Sequence, residues 1–164
     1  LCMFSAQMCT SPQNIYIPAA GVKTPQGMVS FDEVAERLAA AVDAVGAEPK
    51  KASMILAAIQ SPATLAQMKQ LCQDVGDKGT VLLKPRSYAH PEYPDARTST
   101  PMMLKVKAGA GDWYRGERFG PISFVVKVVD TESKKLIRQI PSEEVLKIAK
   151  ALDTLQGLLV KQQA

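Results

Sequence analysis

Cysteine is scarce in this chain of 164 residues. Cys2, Cys9 and Cys72 form no C-x-x-C pair, so neither a disulfide framework nor a zinc site is indicated, and a reducing compartment, the cytoplasm, is the expected setting. Histidine is scarcer still: His90 is the only one, and any Ser-His or Cys-His mechanism must use it or do without. Long apolar runs are missing as well. Those at 54–59 and 122–126 stop far short of the roughly 20 residues a spanning helix needs, which excludes membrane insertion. No block of one charge stands out: 20 basic and 16 acidic side chains leave a net +4 spread along the chain, too mild to argue for nucleic acid. There is no G-x-G-x-x-G, no P-loop and no metal-ligand spacing. The first ten residues lack a basic region ahead of an apolar core, so a secretory signal is not supported, and a start at Leu1 rather than Met reads as a truncation.

What is present suits globular structure. The chain is 46% hydrophobic and 22% charged, enough for one ordinary domain or two very small ones. Residues 14–18, Asn-Ile-Tyr-Ile-Pro, alternate and are rich in β-formers, predicting a short strand. Ser30 with Glu33 forms a capping-box pattern, and Phe31, Val34, Ala35, Leu38, Val42 and Val45 recur at helical spacing until Gly46. Ala52, Ile55, Leu56 and Ile59 repeat that spacing. Ser61-Pro62 then opens a third helix with its stripe on Leu65, Met68, Leu71, Cys72 and Val75. Residues 80–84 and 102–106 read as strands, and 85–101, holding four of the 11 prolines, as an ordered loop.

Residues 122–129 predict an apolar strand, paired as a hairpin with 135–140. Ser142 can cap a final helix whose stripe is Val145, Ile148, Ala149, Leu152, Leu155 and Leu159. Composition shifts near Phe124, which places a boundary between an α/β segment, 1–123, and a small α+β unit of hairpin and helix, 124–164.

Two segments can carry chemistry. Cys9 sits among small and polar neighbours just before a strand, where a thiol is exposed at a loop tip; the alternative is a small buried hydrophobe. The segment Trp113-Tyr114-Arg115-Gly116-Glu117-Arg118-Phe119-Gly120-Pro121 combines aromatics, an acid and a Gly-Pro turn before another strand. Its bland reading is a strand-entry loop with Glu117 a solvated charge and Phe119 a core anchor. His90, in a proline-bracketed loop, reads as structural or exposed. Cys2 and Cys72 read as core or incidental.

Taken together, Ala6-Gln7-Met8-Cys9-Thr10 and the later Glu117-Arg118-Phe119-Gly120-Pro121 resemble the aldehyde dehydrogenase superfamily, with its cysteine after a Gln-containing loop and its downstream Glu-x-Phe-Gly-Pro. The wording of Gln7-Met8-Cys9-Thr10-Ser11-Pro12-Gln13-Asn14 and of Arg118-Phe119-Gly120-Pro121-Ile122-Ser123-Phe124 looks most like the phenylacetic-acid degradation branch, PaaN. This resemblance covers 1–126 and implies a partial catalytic-domain α/β layer. It makes Cys9 the catalytic nucleophile toward an aldehyde substrate, Glu117 the residue holding the nicotinamide ribose of NAD or NADP, and Phe119 the ring beside the nicotinamide. The family's dinucleotide-binding domain, general-base glutamate and oxyanion-hole asparagine would all precede Leu1, so an isolated Cys9 is expected to be inactive and the cofactor not tightly bound.

The tail departs from that pattern. The run from Val125-Val126-Lys127-Val128-Val129 through Ile137-Arg138-Gln139-Ile140-Pro141 to Leu158-Leu159 resembles the bacterial flagellar FlaG family over 124–164. The two resemblances meet within 124–128 and imply a fusion. An alternative function follows: a non-enzymatic flagellar accessory protein with flagellar components as partners. A catalytic segment without its neighbours would expose apolar faces, which predicts self-association.

Overall fold

The computed structural model describes residues 1–129. The expected strand at 135–140 and the last helix lie outside the described residues. The compact unit runs Leu1–Val128.

Its architecture follows from one strand. Ile122, Ser123, Phe124, Val125 and Val126 are all buried, the near-continuous apolar run expected of a parallel strand covered on both faces. This strand, β6 (Ile122–Val128), lies between β1 (Asn14–Pro18) and β5 (Met102–Val106) and is parallel to both, while β4 (Gly79–Leu83) pairs antiparallel to β5 at the edge. The sheet order is β1-β6-β5-β4. Because side chains alternate across a strand, β6 feeds two cores. Ile122, Phe124 and Val126 join Met102, Leu104 and Val106 against Met68 and Leu71 of α3 (Pro62–Asp74). On the other face Val125 and Met103 join Ile17 and Leu83 against Phe31, Ala35, Ala39 and Val42 of α1 (Phe31–Gly46). The result is an α/β layer with a helix on each face of a mixed sheet.

The helices start where their caps place them. Ser30 Oγ accepts the Glu33 N–H at 3.2 Å, and Ser61 Oγ accepts the Ala63 N–H at 3.2 Å with Pro62 in the first turn. At the end of α1, a Cβ on Gly46 would stand 2.6 Å from Thr100 Cγ2, so only glycine lets the helix approach the segment entering β5. Lys105 Nζ reaches from β5 to Asp32 Oδ1 at 2.7 Å, and this partner lowers the Asp32 pKa.

Three local expectations need correction. The stripe on Ala52, Ile55, Leu56 and Ile59 is not one helix: α2 (Pro49–Ile55) ends as Leu56 turns extended. Leu56 and Ile59 are buried, but in a loop, because the polar groups of residues 57–60 find tertiary partners that replace helical ones. Between β1 and α1 a second, two-stranded sheet, β2 (Val22–Thr24) with β3 (Gly27–Val29), appears where no strand is expected; its three-residue strands are too short to show periodicity. Finally, a helical turn, α4 (Gly111–Tyr114), buries Trp113 and Tyr114 in a segment expected to be loop. Among the described residues no helix is long and apolar enough to cross a membrane.

Phe124, fully enclosed at the centre of β6, tests this account. Phe124→Ala should cost about 3–5 kcal/mol, read as a lower midpoint in urea unfolding; a loss below about 1 kcal/mol would show that the core does not depend on β6.

Candidate active site

Cys9 and Glu117 reach the same end of the sheet by topology. Each precedes a strand, β1 and β6, and these are parallel neighbours with Asn14 opposite Phe124. Both loops therefore lie at the amino ends of the two strands, whereas open α/β sheets commonly bind ligands at the carboxyl ends.

The segment before Cys9 is strained and tied down. Phe4, Ser5 and Ala6 all have left-handed backbone, with φ of 51°, 53° and 49°, a conformation that costs roughly 1–2 kcal/mol per residue outside glycine. Hydrogen bonds to residues 57–60 hold it. Ser5 is buried and its hydroxyl donates to the Ala57 carbonyl at 2.8 Å. Gln7 Nε2 donates to the Ala58 carbonyl at 3.0 Å, and Gln7 Oε1 accepts the Gln60 N–H at 2.8 Å. That platform is braced by Arg97, whose guanidinium donates to the Ile59 and Gln60 carbonyls at 3.0 and 2.7 Å. A turn closed by Ser11 N–H to the Met8 carbonyl, 3.0 Å, then presents Cys9 exposed at its tip. The buried-hydrophobe alternative for this thiol is thereby removed.

The Glu117 loop is held from behind and open in front. Arg118 turns inward: its guanidinium donates to the Trp113 carbonyl from Nε and Nη2 at 3.2 and 3.1 Å and lies 5.8 Å from the Phe124 ring centre. The Arg118 N–H donates to Gln13 Oε1 at 2.8 Å. On the opposite side the Thr64 hydroxyl of α3 donates to the Phe119 carbonyl at 3.2 Å. Gly120, at φ 141°, passes so close to Thr64 that a Cβ would sit 2.4 Å from its Cγ2; both the backbone and the contact require glycine. Glu117 and Phe119 are left facing outward, the Phe119 ring 54% exposed. The core-anchor alternative for Phe119 is wrong: the residue is exposed and lies outside the buried cluster that Trp113 and Phe124 join. Among the described residues the Glu117 carboxylate takes no hydrogen bond or ion pair.

An exposed carboxylate accepts hydrogen bonds and an exposed ring offers a flat apolar face, and both stand on one braced loop. No group of side chains able to hold a metal occurs among the described residues. Cys72 is half-buried, and burial raises its thiol pKa; Cys2 is raised for the same reason. His90 Nδ1 accepts the backbone N–H groups of Glu92 and Tyr93, each at 3.2 Å, a structural role. A cleft of about 470 Å³ between α3 and the segment after β4, lined by Met68, Cys72, Lys84, Arg86 and Thr98, contains none of the three candidate residues. Of the glutamines that hold the two loops, Gln7 enters the sequence reading only as part of the motif around Cys9, and neither it nor Gln13 is given an anchoring role there. Their signal is only that a side-chain amide both donates and accepts beside each motif.

Comparison with known proteins finds similarity in two parts of the chain. The chain is similar to an NAD-dependent aldehyde dehydrogenase from Burkholderia multivorans, at 38% identity and a TM-score of 0.71, over 77% of this chain and 22% of that one. It thus spans about a fifth of that enzyme's length. Weaker likenesses, each 14% identical over 90% of this chain and 12% of the other, are to a mutant of proline utilization A from Bradyrhizobium japonicum, TM-score 0.48, and to a bifunctional proline utilization A protein, TM-score 0.47. Residues 122–162 match the FlaG protein family. No curated protein matches the chain.

The different burial of the thiols gives a direct test. Iodoacetamide near neutral pH should label Cys9 at least several-fold faster than Cys72, whose desolvated thiol holds less thiolate and sits half-covered. Peptide mass spectrometry over time reads both rates, and equal labelling would mean that Cys9 is not presented as described.

Proposed function

We propose that residues 1–126 form the nucleophile-bearing part of an NAD(P)-dependent aldehyde dehydrogenase site of the phenylacetic-acid degradation, PaaN-like, type. The observation that carries this reading is the pairing of an exposed Cys9 with an outward-facing Glu117 and Phe119 on loops preceding adjacent parallel strands. Likeness to an NAD-dependent enzyme supports NAD as the cofactor.

The chemistry follows from the residue types. The Cys9 thiolate adds to the aldehyde carbon; a carbon–sulfur bond forms, the carbonyl π pair moves to oxygen, and the oxygen takes a proton to give a thiohemiacetal. A bound nicotinamide supplies the acceptor for the hydride that this carbon must lose. Glu117 would accept hydrogen bonds from the ribose hydroxyls, and Phe119 would cover one face of the ring. Water then cleaves the thioester left on Cys9, releasing the acid and returning the thiol. Proton removal from that water and stabilisation of the developing oxyanion each supply factors of about 10² to 10⁴. Among the described residues no acid or amide donor is bonded into the Cys9 turn to provide them. Turnover by this chain alone is therefore expected to be absent and its affinity for NAD weak.

An isotopically labelled aldehyde should give a thiohemiacetal carbon resonance with the chain that disappears in Cys9→Ser. With NAD added, NADH should not form above the Cys9→Ser background. Cys9-dependent NADH formation would overturn inactivity, and an unchanged resonance in Cys9→Ser would overturn the nucleophile.

A second reading rests on the FlaG match at residues 122–162: a flagellar accessory protein in which the tail binds and the first part is a passenger. Because β6 ends at Val128 within the compact unit, the informative truncation stops there. A chain ending at Val128 should lose sedimentation with purified flagellar filaments that the full chain retains. Equal binding by both, or by neither, counts against this reading.

A further inference from the structure

Gln13, the residue before β1, is bonded through its carbonyl and through both ends of its carboxamide. Its carbonyl accepts the Phe124 N–H at 2.9 Å. Its side-chain Oε1 accepts the Arg118 N–H at 2.8 Å, while Nε2 donates to the Gly116 carbonyl at 3.0 Å and to the Tyr114 carbonyl at 3.3 Å. Asn14 Nδ2 adds a bond of 2.6 Å to the same Tyr114 carbonyl. The backbone on either side of Glu117 thus ends on one carboxamide, 105 residues away from Arg118 in sequence. Only a group that donates and accepts at once satisfies this arrangement: a carboxylate cannot donate, and an ammonium cannot accept. Gln13 also belongs to the segment that carries Cys9, and that segment is fixed at its other end by Gln7 on the 57–60 platform.

We infer that Gln13 is a positioning residue, a two-sided clamp on the Glu117 peptide that makes the nucleophile turn and the ribose-contacting loop one mechanical unit. The inference rests on the roles proposed for Cys9 and Glu117. Gln13 touches neither reacting atoms nor cofactor; it acts by setting the direction in which Glu117 leaves the loop. With both flanking peptide groups held, the Glu117 backbone cannot rotate independently. Further along the loop, Thr64 holds the Phe119 carbonyl.

The test uses the full, isotopically labelled chain and reads single amides. In Gln13→Ala the Arg118 N–H should exchange about tenfold faster, as expected for one lost hydrogen bond, with the rest of the sheet unchanged. Gln13→Glu separates clamping from mere space-filling, since it keeps the shape and the acceptor. At neutral pH its carboxylate faces the Gly116 and Tyr114 carbonyls and should displace the Glu117 and Arg118 resonances. In acid the protonated carboxyl regains a donor, and those resonances should return toward their wild-type positions, a return that wild type does not show. This comparison lies within one variant and survives a failure of Gln13→Ala to fold. Alkylation of Cys9 should shift the amides of Gly116, Glu117 and Arg118 in wild type and in Gln7→Ala, but not in Gln13→Ala. Unchanged Arg118 exchange in Gln13→Ala, no acid return in Gln13→Glu, or a loop equally responsive to Cys9 alkylation with and without Gln13 overturns the clamp. So does a wild-type loop that ignores the alkylation. Slow labelling of Cys9 relative to Cys72 would instead remove the catalytic reading and leave the clamp standing, so the two failures are distinct.

Discussion

Burial of β6 on both faces is the constraint on which the described structure depends. A strand with one wet face needs only one partner layer, but Ile122 to Val126 present apolar side chains to both. They commit the chain to a helix above and a helix below. The parallel pairing with β1 then follows from which strand remains to cover the free edge. That pairing brings the loop ending at Gln13 beside the loop ending at Pro121. The candidate site is thus a consequence of how the sheet closes around its most apolar strand.

Around this frame the site is held by polar bonds rather than by packing. Exposed chemistry cannot be anchored through its own side chains, because those must stay available. The anchors are consequently the neighbours: Ser5 and Gln7 behind Cys9, and Gln13, Arg118 and Thr64 behind Glu117. Three successive left-handed residues in front of a thiol are tolerable only because the bonds to residues 57–60 offset their strain. The same platform explains why α2 stops early: its carbonyls are needed by side chains from elsewhere.

Legibility in the sequence tracked the length scale of the signal. Strands at 14–18, 102–106 and 122–128, and the helices opened by Ser30 and Ser61, were readable because period and caps are local properties. The end of α2 was not, since Ile59 keeps helical spacing while its backbone bonds to Arg97. Neither was the β2–β3 hairpin, whose three-residue strands are largely exposed. For the site, the family resemblance singled out Cys9, Glu117 and Phe119; the exposure of Cys9 and Glu117 could be read from loop composition, whereas that of Phe119 could not. The glutamines that hold them could not. A side-chain amide looks the same in sequence whether it is solvated or bonded to three peptide groups across the fold, and only the tertiary pairing of β1 with β6 decides.

That pairing also imposes an order on assembly. Within the described unit β1 precedes the other strands and its neighbour β6 follows them all, so a strand made early must wait for one made late. Contacts of such wide sequence separation close large loops and slow folding. Until β6 is complete, the side of β1 that pairs with it stays open to other chains. Only then does the loop before β6 join Gln13, so the two candidate loops come together as the described unit closes.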